Sequence, residues 1–249
     1  MGAEAKPEVS PVHRLAPEVK IAATVAITIA VVATPREAVW AFGVHALIVV
    51  ALAAVARVPA GWLARRSLVE VPFVLLAVLM PFVGVGERVE WLGLRLSVEG
   101  LYGGFNLLVK GTLGVLVALL LAATTSTRDI IVGLDRLRCP PVLTQIATFM
   151  LRYLDVLADE ARRMRTARLA RGDDPRFLWQ LRGFASGIGA LFLRAFERGE
   201  RVYLAMLSRG YTGSLPQLGG AGAGVAQWAA AATVPLVAAA IAVTATILT

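Results

Sequence analysis

Long apolar runs alternate with short charged segments through the first half of the chain. Residues 19–33 are apolar, Thr34-Pro35-Arg36-Glu37 is a tight turn, and residues 38–56 are apolar again. Two such runs joined so briefly predict antiparallel neighbouring helices. The first run is short for a membrane span, which takes roughly 17–25 residues, so its helix is expected to start nearer Pro17. Residues 57–67 read as a loop with Trp62 as an interfacial anchor. Residues 68–85 read as a third span kinked by Pro72 and Pro81, and residues 86–100 as a polar loop. The fourth span is 101–123, where Gly103, Gly104, Gly111 and Gly114 make a small face for close helix contact.

The period then changes. Ser126 or Thr127 is suited to cap a helix running through Leu137. After Cys139-Pro140-Pro141, residues Ile146, Phe149, Met150, Tyr153, Leu157, Ala161 and Met164 recur at three- and four-residue steps. That is the apolar stripe of a long amphipathic helix, and Gly172 supplies its stop. Asp174-Pro175 has the form of a cap and first turn for a second helix. This one carries Ile188, Leu191, Phe192, Ala195, Val202 and Met206, with Arg194, Arg198, Arg201 and Arg209 close to one face, and ends at Gly210. A loop containing Gly213, Gly219, Gly220, Gly222 and Gly224 leads to the last apolar run, 228–248. The fold class expected is an all-α polytopic membrane protein with about five transmembrane helices and two long cytoplasmic amphipathic helices. Residues 1–123 would hold a polar tail and four spans, 124–224 the cytoplasmic helices, and 225–249 the last span.

Composition supports the membrane reading. The chain is 57% hydrophobic and 17% charged, with mean hydropathy +0.71. Its formal charge of +8 would suggest nucleic-acid binding in a soluble protein. Here the arginines sit between apolar runs, which is the positive-inside pattern, and no nucleic acid is expected. Residues 124–224 hold fifteen Arg against nine acids, and the 57–67 loop holds three Arg and none. The 86–100 loop holds two Arg against three Glu. Five spans with a cytoplasmic N-terminus satisfy all three counts, in the cell inner (plasma) membrane. The polar, proline-containing first seventeen residues do not read as a signal peptide.

Candidate chemistry is sparse. There is no Gly-x-x-x-x-Gly-Lys-Ser/Thr motif for ATP hydrolysis and no His-Glu-x-x-His. Cys139 is alone, which excludes an intrachain disulfide. No metal site and no cofactor are expected. His13 reads as a structural or surface residue, His45 as a histidine bonded to a neighbouring helix, and Lys110 as a snorkelling lysine. Asp173-Asp174 could suggest a polytopic membrane enzyme, such as a metal-dependent lipid-head-group transferase, but no second carboxylate pair accompanies it. A third possibility is a membrane protein whose basic helices bind anionic lipid or RNA.

Both amphipathic helices end alike, in Ala170-Arg171-Gly172 and Ser208-Arg209-Gly210. Each could be a plain helix cap, the glycine taking a left-handed conformation and the arginine complementing the helix dipole. Repetition on consecutive helices, thirty-eight residues apart, suggests more. A guanidinium presented at a helix end can grip carboxylates or carbonyls of a partner.

With these motifs the chain resembles the transmembrane T component of energy-coupling factor (ECF) transporters, of the cobalt/nickel CbiQ type. Ser10-Pro11-Val12-His13-Arg14-Leu15-Ala16-Pro17-Glu18-Val19-Lys20 is similar to that family's N-terminal segment, and the two Arg-Gly ends resemble its paired motifs. The resemblance implies a transport subunit without catalytic residues. It implies that Ala170, Arg171, Gly172, Ser208, Arg209 and Gly210 contact two ABC-type ATPase subunits. It also implies that the long helices meet a small substrate-binding membrane protein, the S component, and move it when the ATPases work.

Overall fold

Proline lacks the N–H that a first helical turn leaves unpaired anyway, and Pro17 opens helix α1 (Pro17–Ala33). In this computed structural model the residues described are 10–84, 88–91, 94–172, 181–213 and 222–248. They fall into two compact units, Met1–Leu137 with Ala221–Thr249, and Arg138–Gly220.

In the first unit α2 (Val39–Val55) follows α1 across the turn that the sequence suggested. The third span differs from expectation. Helix α3 (Ala60–Arg66), a 3₁₀ turn (Ser67–Glu70) and α4 (Val71–Val83) run on as one apolar helical stretch, Ala60–Val83. The segment read as a loop is therefore mostly helix. Arg57 (φ 54°) and Pro59 break the chain before it, whereas Arg65 and Arg66 do not, because charge alone does not stop a helix. Arg66 lies over the Trp62 ring, 4.5 Å from its centroid.

Within the expected polar loop 86–100, the described residues include two strands. Strands β1 (Arg88–Trp91) and β2 (Leu94–Ser97) pair antiparallel, with Arg88 opposite Ser97 and Glu90 opposite Arg95. Polar and apolar residues alternate through both strands with the period of two that a hairpin needs. Ser97 then caps α5 (Val98–Thr124), its Oγ accepting from the Gly100 N–H. Ser126 caps α6 (Thr127–Arg136) in the same way, accepting from Asp129 N–H, as the sequence indicated. Helix α9 (Val225–Leu248) completes the unit.

The chain is a polytopic membrane protein, and among the described residues it is all-helical apart from that hairpin. Ala60–Val83, Val98–Thr124 and Val225–Leu248 are each long and apolar enough to cross a membrane, and α2 is a shorter apolar helix. The core gathers Ile27 and Val31 of α1, Phe42 and Val49 of α2, and Leu113, Val117 and Leu120 of α5. Alanines make the closest seams, with Ala30 against Ala238 and Ala242, and Ala38 and Ala41 against Ala245.

The glycine face of α5 is real, but its membership shifts. A Cβ on Gly104 would lie 2.5 Å from the Ala77 carbonyl oxygen, and one on Gly100 2.5 Å from that of Met80. Ala77 is four residues before Pro81, so its carbonyl has lost its helical donor. Close approach of Gly104 covers that carbonyl. Gly114, expected on this face, has open space beside it.

The first turn of α1, the last residue of α5 and the entry to α9 meet at one end of the unit. Lys20 Nζ donates to the Thr124 carbonyl at 2.8 Å, and the Ala223 N–H donates to Glu18 at 2.7 Å. An alternating path of crossings through these helices requires those ends to share a side.

Candidate functional site: two arginine-capped helix ends

The second unit is built on α7 (Pro141–Ala170) and α8 (Leu181–Leu207). On α7 the half-buried positions include Phe149, Tyr153, Leu157, Glu160, Met164 and Arg168; on α8 they include Gly187, Leu191, Ala195, Arg198, Val202 and Met206. Both sets step by three and four residues, so each is one seam of a helix. Four contacts fix how the seams meet. Gln145 Nε2 donates to the Gly213 carbonyl at 2.9 Å, and the Tyr211 hydroxyl bonds Gln145 Oε1. Glu160 accepts from Arg194, and Arg168 Nη1 lies 3.7 Å from where a Cβ on Gly187 would sit. Partners on α8 step backwards as those on α7 step forwards, so the helices are antiparallel.

Each helix ends on its Arg-Gly pair through one device. Gly210 takes φ +84°, its N–H donates to Leu207 O at 3.0 Å, and Tyr211 N–H donates to Met206 O at 3.0 Å. That is a complete Schellman turn with Arg209 at the cap position. Gly172 takes φ +78° and donates to Leu169 O at 3.0 Å, with Arg171 at the cap position. The Ser208 hydroxyl turns back to Ala205 O at 2.9 Å, so it serves its own helix. Ala170, Arg171, Gly172, Ser208, Arg209 and Gly210 are all exposed. Among the described residues neither Arg171 nor Arg209 has an ion pair or side-chain hydrogen bond.

Antiparallel packing puts the two ends at opposite extremes of the unit. Arg209 lies beside the start of α7, near Gln145, and Arg171 ends that same helix. At 1.5 Å rise per residue the two guanidinium groups are on the order of 40 Å apart. The unit thus offers two separate cationic tips, each on a rigid helix end.

The row of arginines expected on one face of α8 divides. Arg194 is taken by Glu160, Arg198 is half-buried in the seam, and Arg201 and Arg209 are exposed. Glu160, which the sequence did not mark out, also accepts from Arg163 at 2.8 Å. Those two guanidinium hydrogen bonds hold its carboxyl below the ordinary carboxylate range. The apolar side chains off the seam are exposed on both helices, Met150, Leu154, Phe192 and Phe196 among them.

The remaining candidates have structural partners. His13 Nδ1 and Ser10 Oγ are 2.7 Å apart within a turn, in keeping with the structural role read from the sequence. His45 is buried and its Nε2 is 3.2 Å from Thr34 Oγ1. The Thr34 hydroxyl donates to Ala30 O at 2.9 Å, so Nε2 must carry the proton in this bond. Lys110 sits mid-way along α5 rather than near its end, and its Nζ donates to Val32 O at 2.7 Å, at the C-terminal turn of α1. Glu70 escaped notice altogether. It is buried beside α5 and accepts from Thr112 Oγ1 at 2.8 Å. Among the described residues no three His, Cys, Asp or Glu side chains converge as a metal site. The Asp173-Asp174 pair and the Asp174-Pro175 helix start lie outside the described residues.

Residues 8–218 match the CbiQ family, described as cobalt transport protein. The chain is 31% identical over 161 residues to the cobalt transport protein CbiQ of Rhodobacter capsulatus, covering 64% of each chain. It is 27% identical over 165 residues to the energy-coupling factor transporter transmembrane protein EcfT of Staphylococcus aureus, covering 60% of this chain and 62% of that one. Both matches span less than two thirds of the relative. The EcfT of Thermanaerovibrio acidaminovorans is 31% identical over 223 residues, covering 84% of this chain and 82% of the relative.

Proposed function

The chain belongs to the CbiQ cobalt transport protein family, and from that premise we propose that it is the coupling subunit of an ATP-driven importer of the energy-coupling-factor type. The observation that carries the reading is the pair of exposed arginines at the capped ends of α7 and α8, neither of which has an ion pair among the described residues. The cap accounts for each glycine, whose positive φ disfavours other residues. It does not account for the arginines, since a cap position at a helix C-terminus accepts most side chains. Two tips on the order of 40 Å apart suit two partners better than one.

In this reading Arg171 and Arg209 each dock on one ABC-type ATPase subunit, and hydrolysis takes place there. The exposed apolar shoulder of α7 and α8 meets the S component, the small membrane protein that binds the cargo. Five crossings, with α1 and α2 as the two short ones, put the N-terminus and the second unit in the cytoplasm of a cell whose inner membrane holds the complex. The cargo is cobalt(II) or nickel(II), and its ligands belong to another subunit.

Reconstitution tests this. Proteoliposomes holding the chain with its ATPase and S-component partners should take up cobalt(II) or nickel(II) only when ATP is supplied on the ATPase side. Omitting the chain should abolish uptake. Uptake that proceeds without the chain contradicts the coupling role, and ATP hydrolysis without uptake of either ion contradicts the metal cargo.

A further inference from the structure

The chain passes between its two units twice, after Leu137 and before Ala221. Both crossings are tied to one side chain. Glu18, in the first turn of α1, accepts from Arg136 Nη1 at 3.3 and 3.2 Å through its two oxygens, and from the Ala223 N–H at 2.7 Å. Arg136 is the last residue of α6, next to the outgoing crossing, and Ala223 stands just past the return.

The tie is buried and stiff. Glu18 is 3% exposed. Separating a buried carboxylate from its cation strands a charge away from water, so the three groups keep together. A Cβ on Gly133 of α6 would lie 2.9 Å from Glu18 N and 3.0 Å from Pro17 C, so α6 rests backbone against backbone on α1. The outgoing link is short as well. Arg138 is held at φ +63°, and Pro140 and Pro141 fix two further φ angles before α7 proceeds. Helix α1 in turn packs on α5, α6 and α9, and Lys20 bonds it to the end of α5.

We infer that Glu18 is the positioning residue through which displacement of α7 and α8 is delivered to the membrane helices. It clamps both crossings to α1, and α1 passes the displacement to α5 and α9. The inference rests on the coupling function proposed above. Among the described residues the Glu18 carboxylate bonds Arg136 and the Ala223 N–H, which makes its task mechanical.

The test uses the assembled complex with its ATPase partners in lipid nanodiscs. Cys139→Ser removes the lone thiol, and an environment-sensitive fluorophore is placed either on Asp155→Cys of α7 or on Val25→Cys of α1, both exposed. With Glu18 intact, adding ATP and magnesium should change both signals. Glu18→Gln keeps an acceptor for Ala223 N–H but discards the ion pair. The α7 reporter should then keep its response while the α1 response falls at least fivefold. Arg136→Gln should give the same split, with the double variant no worse than either single one, and it carries the test if Glu18→Gln does not insert. An α1 response that persists in both variants overturns the inference, and so does equal loss of both reporters. A silent α7 reporter in the unaltered chain overturns the coupling function itself and the anchor with it, so the two failures are distinguishable.

Discussion

At the scale of single residues, the glycines and the arginines of the two helix ends answer to different physics. Gly172 and Gly210 are fixed by backbone conformation, whereas Arg171 and Arg209 contribute nothing that the cap requires beyond a modest dipole term of about 0.3–1 kcal/mol. The glycines of α5 answer to a third constraint, close approach. Gly104→Val should clash with the Ala77 carbonyl and cost about 1–3 kcal/mol. The melting temperature of the detergent-solubilised chain should fall accordingly. Gly114→Val, with open space beside it, should leave that temperature within error. Equal melting of the two variants would contradict the packing described.

At the scale of elements, the α7–α8 seam depends on Glu160. Its carboxyl is held below the ordinary value of 4.5 by hydrogen bonds from Arg163 and Arg194. The bridge is therefore complete above pH 4.5 and is lost only as pH falls through the lowered value. Spin labels on α7 and α8 should report an unchanged separation down to pH 4.5 and a widening below it, and Glu160→Gln should remove that dependence. Widening at or above pH 4.5 in the unaltered chain would contradict the assignment. The sequence made the elements themselves legible, because a continuous apolar run and a 3.6-residue stripe have different signatures, and the caps at Ser126, Gly172 and Gly210 could be read directly. Pairing between elements was not legible. Nothing local shows that Glu160 faces Arg194, that Glu18 faces both Arg136 and Ala223, or that Glu70 lies beside Thr112. The hairpin at Arg88–Ser97 was hidden because each strand has only four residues and carries charges. Helix α3 was hidden because its arginines looked like a loop.

At the scale of the whole molecule, the first unit holds the apolar helices, and the second holds two antiparallel helices that each end on an exposed arginine. The candidate site was legible as a pair of motifs, whereas its arrangement was not. That the tips lie at opposite extremes follows only from the antiparallel seam, and the proposal of two ATPase partners rests on it. The most direct measurement is retention of the ATPase subunits by the detergent-solubilised chain. The comparison sets the unaltered chain against Arg171→Glu, Arg209→Glu and the double variant. Arg165→Glu serves as the control, an exposed arginine of α7 outside both motifs. The account predicts that each single variant weakens retention, that the double variant abolishes it, and that the control keeps both subunits at full insertion. An ATPase that stays bound to the double variant would contradict it, leaving the two arginines as helix caps and nothing more.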